Sequence, residues 1–347
     1  MSSKLFDFLS SFGIMILGIV LLFAGSVTFE PAKTFPWIKL PVAGSRTLID
    51  EELLLESLPL SRPMVPMRKA GSKEFYPLAA ASGVVVDAKT KTLLFQKNIR
   101  AERPLASITK LMTAIVLLDL PINWSSSTVI TEADADGSDH HLIPGEEYLF
   151  EDLWHIALVG SSNSAINSLV RSAGFSAEQF SALMNKKSKE LGLASAYFVD
   201  PAGLSERNAA NALDTATLFR EALQREKILK TIRLGEYYAR PLNKKKSRRV
   251  WSTNRLLTRW IPNKFATAIG KTGYTLQAGY NFAVNVEEDD DGRSLIVVVL
   301  GATTTDLRFT EARDLAEWTF SQYVWPKESG YDALYNSSTL TLDGTLH

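Results

Sequence analysis

Apolar residues recur along this chain with two different periods, and the periods divide it into elements. The segment from Leu105 to Leu120 places apolar residues three or four positions apart, which predicts a helix. The same spacing continues in three later segments, which are FEDLWHIALVGSSNSAINSLVRSAG, FSALMNKKSKELG and LDTATLFREALQREKILK. The middle of the chain is therefore expected to be mostly helical.

Short apolar runs rich in β-branched residues flank this helical region. SGVVVDAKTKTLLFQKN predicts two strands joined by a polar turn, and AGYNFAVNVEEDDDGRSLIVVVLGAT predicts a hairpin around an acidic turn closed by Gly292. RFTEARDLAEWTFSQYVW predicts a last helix. The order of strands, helices, strands and helix favours an α/β (α+β) fold, in which helices from both chain ends flank an antiparallel sheet.

The longest uncharged run lies near the N-terminus. Residues 12–29, FGIMILGIVLLFAGSVTF, are just long enough to cross a bilayer, which takes about 20 apolar residues. Residues 1–29 are therefore interpreted as a transmembrane anchor or a cleaved signal sequence, with a buried core helix as a third alternative. The anchor is favoured because the small residues 24–26 lie inside the apolar run and make a poor cleavage site.

Composition divides the rest of the chain. Residues 30–78 contain seven prolines and are expected to form a Pro-rich linker, in which LIDEELLLESL has the pattern of a short amphipathic helix. The folded domain is expected at residues 79–327, and a C-terminal tail at 328–347.

Charge and cysteine content exclude several classes of function. Lysine plus arginine equals aspartate plus glutamate at 38 each, so no net charge favours nucleic acid, and none is expected as a partner. The chain has no cysteine, which excludes disulfides and thiolate chemistry.

EADADGSD at 132–139 resembles the start of a calcium loop, but Ile143 would take the position that needs glutamate, so a surface turn is expected. We expect neither a metal nor a cofactor. KKKSRR at 244–249 is interpreted as a solvated hairpin tip or a contact for anionic polymers or lipid headgroups.

One serine and one lysine interrupt the apolar stretch PLASITKLMTAIV. Positions i and i+3 of a helix share a face, so Ser107 and Lys110 are expected to point the same way. A serine hydroxyl becomes nucleophilic when a base takes its proton, and a lysine can be that base if burial and a nearby cation depress its pKa. An isolated S-x-x-K pair arises about once by chance in a chain of this length, so a purely structural role stays open at this point.

Two later stretches change that balance. GSSNSAIN at 160–167 places Ser161-Ser162-Asn163 where a helix is predicted to begin, and GKTGYT at 270–275 places Lys271-Thr272-Gly273 directly before a predicted strand. S-x-x-K, S-x-N and K-T-G in this order are the catalytic motifs of penicillin-binding proteins and class A β-lactamases. The four histidines are interpreted as structural or solvated, and they are His140, His141, His155 and His347.

With these motifs, the chain resembles the D-alanyl-D-alanine carboxypeptidases of the low-molecular-mass penicillin-binding proteins, serine peptidase family S11. The likeness runs from about Ser82 to about Trp325 and includes FVDPAGLS, STNRLL and AIGKTGYTLQAGYNFAV. It implies a serine β-lactamase/transpeptidase-like fold with a mostly helical subdomain. It also implies a serine-type D-Ala-D-Ala carboxypeptidase that trims peptidoglycan stem peptides and is covalently inhibited by β-lactams. Asp200 departs from the family, which more often has asparagine there.

The resemblance further implies a role for each motif residue. Ser107 would form the acyl-enzyme, Lys110 would be the general base, and Ser161 would relay the proton to the leaving amine. The backbone N–H groups of Ser107 and Tyr274 would form the oxyanion hole. Substrate-binding residues would be Asn163, Lys271, Thr272, Gly273, Tyr274 and Arg308, the last placed without a motif to fix its register.

Three other functions stay open from the sequence. The same residues can perform D,D-endopeptidase cleavage of cross-links. A β-lactamase is disfavoured because LASAYFVDPAGLSERN lacks the E-x-x-L-N pattern of a deacylating glutamate, and a non-catalytic wall-binding protein is disfavoured because all motif side chains are present. The expected location is the extracytoplasmic face of the bacterial cell membrane, or outside the cell if residues 1–29 are cleaved.

Overall fold

The computed structural model describes residues 64–135, 141–288 and 292–339, and these belong to one compact unit that begins at Pro63. Within those ranges, no helix combines the length and apolarity needed to cross a membrane. The span predicted at 12–29 and the LIDEELLLESL helix lie outside the described residues.

Helices fill most of the middle of the described chain and strands lie on both sides of it, as expected, but short strands also occur among the helices and a further helix follows the one predicted as the last. The strands are β1 (Met67–Arg68), β2 (Ser82–Asp87), β3 (Leu93–Lys97), β4 (Arg103–Pro104), β5 (Ser127–Val129), β6 (Glu147–Leu149), β7 (Ala209–Ala210), β8 (Glu236–Ala239), β9 (Arg248–Trp251), β10 (Thr267–Thr275), β11 (Gly279–Glu287), β12 (Ser294–Ala302) and β13 (Tyr323–Val324). The helices are α1 (Lys110–Asp119), α2 (Phe150–Val159), α3 (Asn163–Ser172), α4 (Ala177–Glu190), α5 (Ala212–Leu223), α6 (Glu226–Ile232), α7 (Leu307–Gln322) and α8 (Tyr331–Thr339).

A five-stranded antiparallel sheet, ordered β10-β11-β12-β2-β3, separates two hydrophobic cores. Side chains of successive strand residues point to opposite faces. Val84 and Val298 accordingly pack into the core shared with helices α1 to α6, while Val85 and Val297 pack into the core beneath α7. Burial on both faces explains why β2 and β12 have uninterrupted apolar runs rather than alternating ones. The antiparallel sheet and the two hairpins predicted from the sequence are confirmed.

The helix predicted at Leu105–Leu120 has two parts. A 3-10 turn at Ala106–Thr109 precedes α1, in which eight of the ten residues are buried. Ala106 has a φ of 49°, a left-handed conformation that costs free energy in any residue with a side chain. This turn therefore starts the helix in a strained geometry at the position of Ser107.

Lys271-Thr272-Gly273 lies within β10, a strand that the sequence analysis does not predict, whereas the strand predicted after this motif is β11. Lys and Gly have low strand propensity, so the residues of β10 did not indicate a strand. Pairing along the whole of β10 with β11 overrides that local preference, and β10 is an edge strand of the sheet.

The expected domain boundaries at 78/79 and 327/328 also differ from the structure. Residues before 79 already belong to the unit, because β1 pairs with β13 and the Phe75 ring packs edge-on against Phe95 and Trp318 at 5.7 Å. After residue 327, α8 packs back through the buried Tyr331, whose hydroxyl donates to the Val65 carbonyl at 3.0 Å. Aromatic burial at both ends therefore extends the domain beyond its predicted limits.

Candidate active site

Ser107 lies on the strained turn between β4 and α1, and Lys110 is the first residue of α1. Lys110 is 0% exposed. Its Nζ lies 2.9 Å from Ser107 Oγ, 2.5 Å from Asn163 Oδ1 and 2.6 Å from the Ala202 carbonyl oxygen. Nζ therefore lies within hydrogen-bonding distance of the Ser107 hydroxyl, which is the position that a base for this hydroxyl must occupy.

The middle motif sits where the helix was predicted to begin. Ser162 caps α3 by accepting a hydrogen bond from the Ala165 N–H at 3.0 Å, and Asn163 is the first helical residue. Ser161, just before the cap, has a φ of 63°. This left-handed residue turns its hydroxyl toward β10, where Lys271 Nζ donates to Ser161 Oγ at 2.6 Å.

Lys271 is 1% exposed, which is unusual for a lysine. Burial, and after it the charges of Lys110 and Arg308, hold the pKa of Lys271 well below its ordinary value. The Coulomb repulsion between Lys110 and Lys271 indicates that the first and third motifs meet in one electrostatically coupled site.

Gly273 allows β10 to approach the nucleophile turn. A Cβ at this position would lie 2.5 Å from the Leu105 carbonyl oxygen and 3.2 Å from the Ser107 nitrogen, so any side chain would force the two segments apart. On β10, Thr272 Oγ1 shares a hydrogen bond of 2.6 Å with Thr253 Oγ1. The glycine therefore brings the K-T-G strand against Ser107.

Arg308, placed by sequence register alone, lies on α7 and contacts the third motif. Its Nη1 donates to the Gly273 carbonyl oxygen at 3.0 Å. Burial, and then the nearby Arg255 guanidinium, lower the pKa of Arg308 to about 10, so it stays cationic at neutral pH. Tyr274, the next residue of β10, is exposed and stacks on Tyr280 with ring centroids 4.2 Å apart. The oxyanion-hole role of its N–H stays a prediction.

A loop at residues 199–208 supports Lys110, and sequence reasoning did not assign it this role. The carboxylate of Asp200 accepts hydrogen bonds from four backbone N–H groups, and they belong to Ala202, Gly203, Leu204 and Ser205. These bonds hold the loop so that the Ala202 carbonyl reaches Lys110 at 2.6 Å. Buried Asn208 braces the loop by accepting from the Val199 N–H at 2.7 Å. The FVDPAGLS segment could be noted from the sequence, but the contact with Lys110 is made by a backbone carbonyl, which every residue type has.

Other polar residues have structural partners away from these motifs. Asp134, predicted to lie in a surface turn, is buried and accepts from Arg171 at 2.9 and 2.8 Å. His155 stacks on Tyr237 at 4.3 Å, and burial lowers the pKa of its imidazole. Among the residues that the structure describes, no three His, Cys, Asp or Glu side chains come together as a metal site.

The sheet between two cores and the half-buried serine beside a buried lysine define a serine hydrolase of the penicillin-binding class. The model of the D-alanyl-D-alanine carboxypeptidase family, Peptidase S11, matches residues 68–304. The chain belongs to this family.

Relatives in the family are named for two activities. D-alanyl-D-alanine carboxypeptidase DacF of Bacillus subtilis is 32% identical over 253 residues, which cover 70% of this chain and 63% of DacF. D-alanyl-D-alanine endopeptidase of Haemophilus influenzae is 31% identical over 239 residues, which cover 67% of this chain and 80% of that protein.

Solved structures share the fold. D-alanyl-D-alanine carboxypeptidase from Mycobacterium tuberculosis superposes with a TM-score of 0.65 at 26% identity, covering 75% of this chain and 97% of that one. The Streptomyces K15 DD-transpeptidase has a TM-score of 0.65 at 23% identity, covering 72% of this chain and 100% of that one. The α/β fold predicted from the sequence is confirmed.

Proposed function

We propose that this protein is a serine-type D-Ala-D-Ala carboxypeptidase acting on peptidoglycan stem peptides. The observation that carries the proposal is the 2.9 Å separation of Lys110 Nζ and Ser107 Oγ beside the second buried lysine, Lys271. Membership in the family and the carboxypeptidase name of DacF support the substrate class.

Acylation begins when neutral Lys110 takes the proton of Ser107 and Oγ attacks the carbonyl carbon of the penultimate D-Ala. The Oγ–C bond forms, and negative charge develops on the carbonyl oxygen, where the Ser107 and Tyr274 N–H groups stabilise it. Ser161 gives its proton to the leaving amine and receives the proton that Lys110 took from Ser107, so Lys110 is neutral again when the C–N bond breaks and D-Ala departs. Water then attacks the ester, Lys110 takes its proton, and Ser107 regains its hydroxyl hydrogen as the shortened peptide leaves.

Electrostatics support these roles. Lys110, Lys271 and Arg308 bring three basic groups around Ser107, which attracts a peptide ending in a carboxylate. Because the repulsion between the lysines is reciprocal, two ammonium ions side by side are less stable than one. Thr272 and Arg308 bind the substrate carboxylate in this scheme, and Asn163 binds the substrate amide.

The activity is tested by incubating the full-length protein in detergent with uncross-linked muropeptides ending in D-Ala-D-Ala and separating the products by HPLC. Wild type releases D-Ala, and Ser107→Ala does not. Ser125→Ala is the matched control, since Ser125 is an exposed loop serine. Circular dichroism checks that each variant is folded. D-Ala release by folded Ser107→Ala at the wild-type rate would contradict the proposal.

The uncharged segment 12–29 supports a further part of the proposal, a single-span anchor holding the domain at the extracytoplasmic face of the bacterial membrane. Full-length protein is expected in the membrane fraction and a Δ1–29 variant in the soluble fraction. If the protein expressed from the full-length sequence is instead recovered in the soluble fraction, with a mass that lacks the N-terminal segment, the segment is a cleaved signal.

A further inference from the structure

The strained turn that carries Ser107 depends on the groups around it. Ala106 has a φ of 49°, and a residue keeps such a conformation only where the surrounding structure fixes it. From one side, the Leu105 N–H donates to the Asn208 carbonyl oxygen at 2.8 Å. The other side of the turn faces β10 and β11, and there a side chain holds it.

That side chain belongs to Asn281, the third residue of β11, which is 0% exposed. Its Nδ2 donates to the Pro104 carbonyl oxygen at 2.8 Å, three residues before Ser107. Its Oδ1 accepts from the Gly301 N–H at 2.8 Å, so the two partners fix which end of the amide is nitrogen. A buried amide costs free energy unless its ends are bonded, and here both are. The amide therefore joins β12 to β4, the strand that leads into the nucleophile turn.

A β-bulge provides the place for this amide. β11 and β12 change register between Tyr280 and Phe282, where one residue of β11 opposes two of β12. Gly301 lies in the bulge with a φ of 72°, and its N–H is the one that bonds Asn281. A Cβ on Gly301 would lie 2.8 Å from Arg103 Nη2, so β4 packs directly against the bulge. Bulges beside active sites commonly re-aim a side chain, and this one directs an amide at β4.

Asn281 also lies opposite the third motif. It pairs across the ladder with Gly273, the residue whose missing side chain lets β10 reach Ser107. Its backbone carbonyl oxygen lies 3.5 Å from Arg308 Nη1, a contact that does not depend on its side chain. Both side-chain hydrogen bonds described above go to backbone groups of β4 and β12. Loss of the amide is therefore expected to move the nucleophile and to leave the groups that bind the substrate carboxylate in place.

We infer that Asn281 is a positioning residue for the nucleophile. Its amide, seated in the β11–β12 bulge, holds Pro104 and with it the turn that carries Ser107. The turn held in this way keeps Ser107 Oγ 2.9 Å from Lys110 Nζ. The inference rests on the proposed acyl-enzyme mechanism, and Asn281 acts through the turn rather than on the substrate.

The test replaces Asn281 with serine, whose single hydroxyl ends one bond nearer the backbone and cannot reach both partners. The full-length protein is assayed in detergent for kcat and KM of D-Ala release from diacetyl-L-Lys-D-Ala-D-Ala, and for the second-order rate at which a fluorescent penicillin labels Ser107. We expect Asn281→Ser to lower kcat and the labelling rate about tenfold, the order that one hydrogen bond contributes. KM is expected to stay within about twofold, because the residues that bind the substrate are unchanged.

Asn285→Ser is the matched control. Asn285 is buried on the same strand, and its amide donates to Ser294 Oγ at 2.6 Å and to the Leu295 carbonyl oxygen at 3.2 Å, both on β12. Its loss also removes side-chain hydrogen bonds between β11 and β12, yet kcat and the labelling rate are expected at wild-type values. Hydrogen exchange followed by mass spectrometry should quicken over residues 104–109 in Asn281→Ser and stay unchanged there in Asn285→Ser.

The outcomes separate the inference from the proposed function. Wild-type kcat in folded Asn281→Ser overturns the inference, and so does an equal loss in Asn285→Ser or a loss confined to KM. Wild type that penicillin labels but that releases no D-Ala contradicts the carboxypeptidase alone, and the labelling rates then decide the role of Asn281. Wild type that is not labelled overturns both. If circular dichroism shows Asn281→Ser unfolded, Asn281→Thr and Asn285→Thr are compared in the same way, because β-branched side chains favour a strand.

Discussion

Replacing Gly273 with alanine is expected to slow acylation of Ser107 about a hundredfold. The added Cβ would lie 2.5 Å from the Leu105 carbonyl oxygen, whereas ordinary contact begins at 3.4 Å, so the strand and the turn must separate by about 0.9 Å (3.4 − 2.5). A displacement of about 1 Å between reacting groups costs on the order of 10² in rate, or about 2.7 kcal/mol of barrier. The assay is the second-order rate of labelling by a fluorescent penicillin.

Gly235→Ala is the control for this experiment. Its Cβ would meet nothing closer than Thr258 Cγ2 at 4.0 Å, and Gly235 does not have a positive φ. Labelling of this variant is expected at the wild-type rate. Rates are compared at a temperature where circular dichroism shows all three proteins folded, because overpacking also costs about 1–3 kcal/mol of stability. Wild-type labelling of folded Gly273→Ala would refute the argument that β10 must approach the turn this closely.

Three further outcomes follow from contacts around Ser107. Lys271→Met is expected to abolish acylation yet raise the free energy of unfolding by about 1–2 kcal/mol at neutral pH, since a buried cation is removed. The pKa of Lys271 is lowered from 10.5 in the folded protein, so the unfolded chain binds more protons than the folded one. Urea melts should therefore show that the extra free energy of unfolding of Lys271→Met shrinks as the pH rises toward 10.5. Asp200→Ala is expected to lower the free energy of unfolding in urea by about 2–3 kcal/mol and to lower kcat, because the loop that holds Ala202 loosens. Asp200→Asn keeps one acceptor oxygen and is expected to lose less stability. Mass spectrometry after exposure to penicillin should find a lasting adduct on Ser107, because backbone N–H groups occupy the Asp200 carboxylate and leave it unavailable to activate the deacylating water. Rapid turnover of nitrocefin would contradict this.

The sequence singled out the motif residues, whose catalytic roles stay predictions, better than the groups that surround them. Each motif combines residue types that a reaction needs, so Ser107, Lys110, Ser161 and Lys271 could be named before their contacts were seen. Arg308 lacked a motif, and its link to Gly273 depends on how α7 packs beneath the sheet. Periodicity likewise predicted most helices, because their burial repeats regularly, and uninterrupted runs of β-branched residues predicted β2 and β12.

Features that depend on backbone groups or on contacts between distant segments could not be predicted. The Ala202 carbonyl beside Lys110 is available to any residue type at that position, so only the folded loop reveals it. Trp251 and Trp260 break no periodic pattern, and they line one cavity only when β9 and the segment after it fold together. β10 was not predicted, because local propensity disfavours a strand there and only pairing with β11 outweighs that preference.

The central sheet ties the two halves of the domain into one cooperative unit. Neighbouring valines of β2 and β12 enter opposite cores, so neither core can open without exposing the back of the same strands. Thermal unfolding should consequently follow a single transition, with penicillin labelling and helical signal lost together. No half of the enzyme would survive as a folded fragment after the other half has melted.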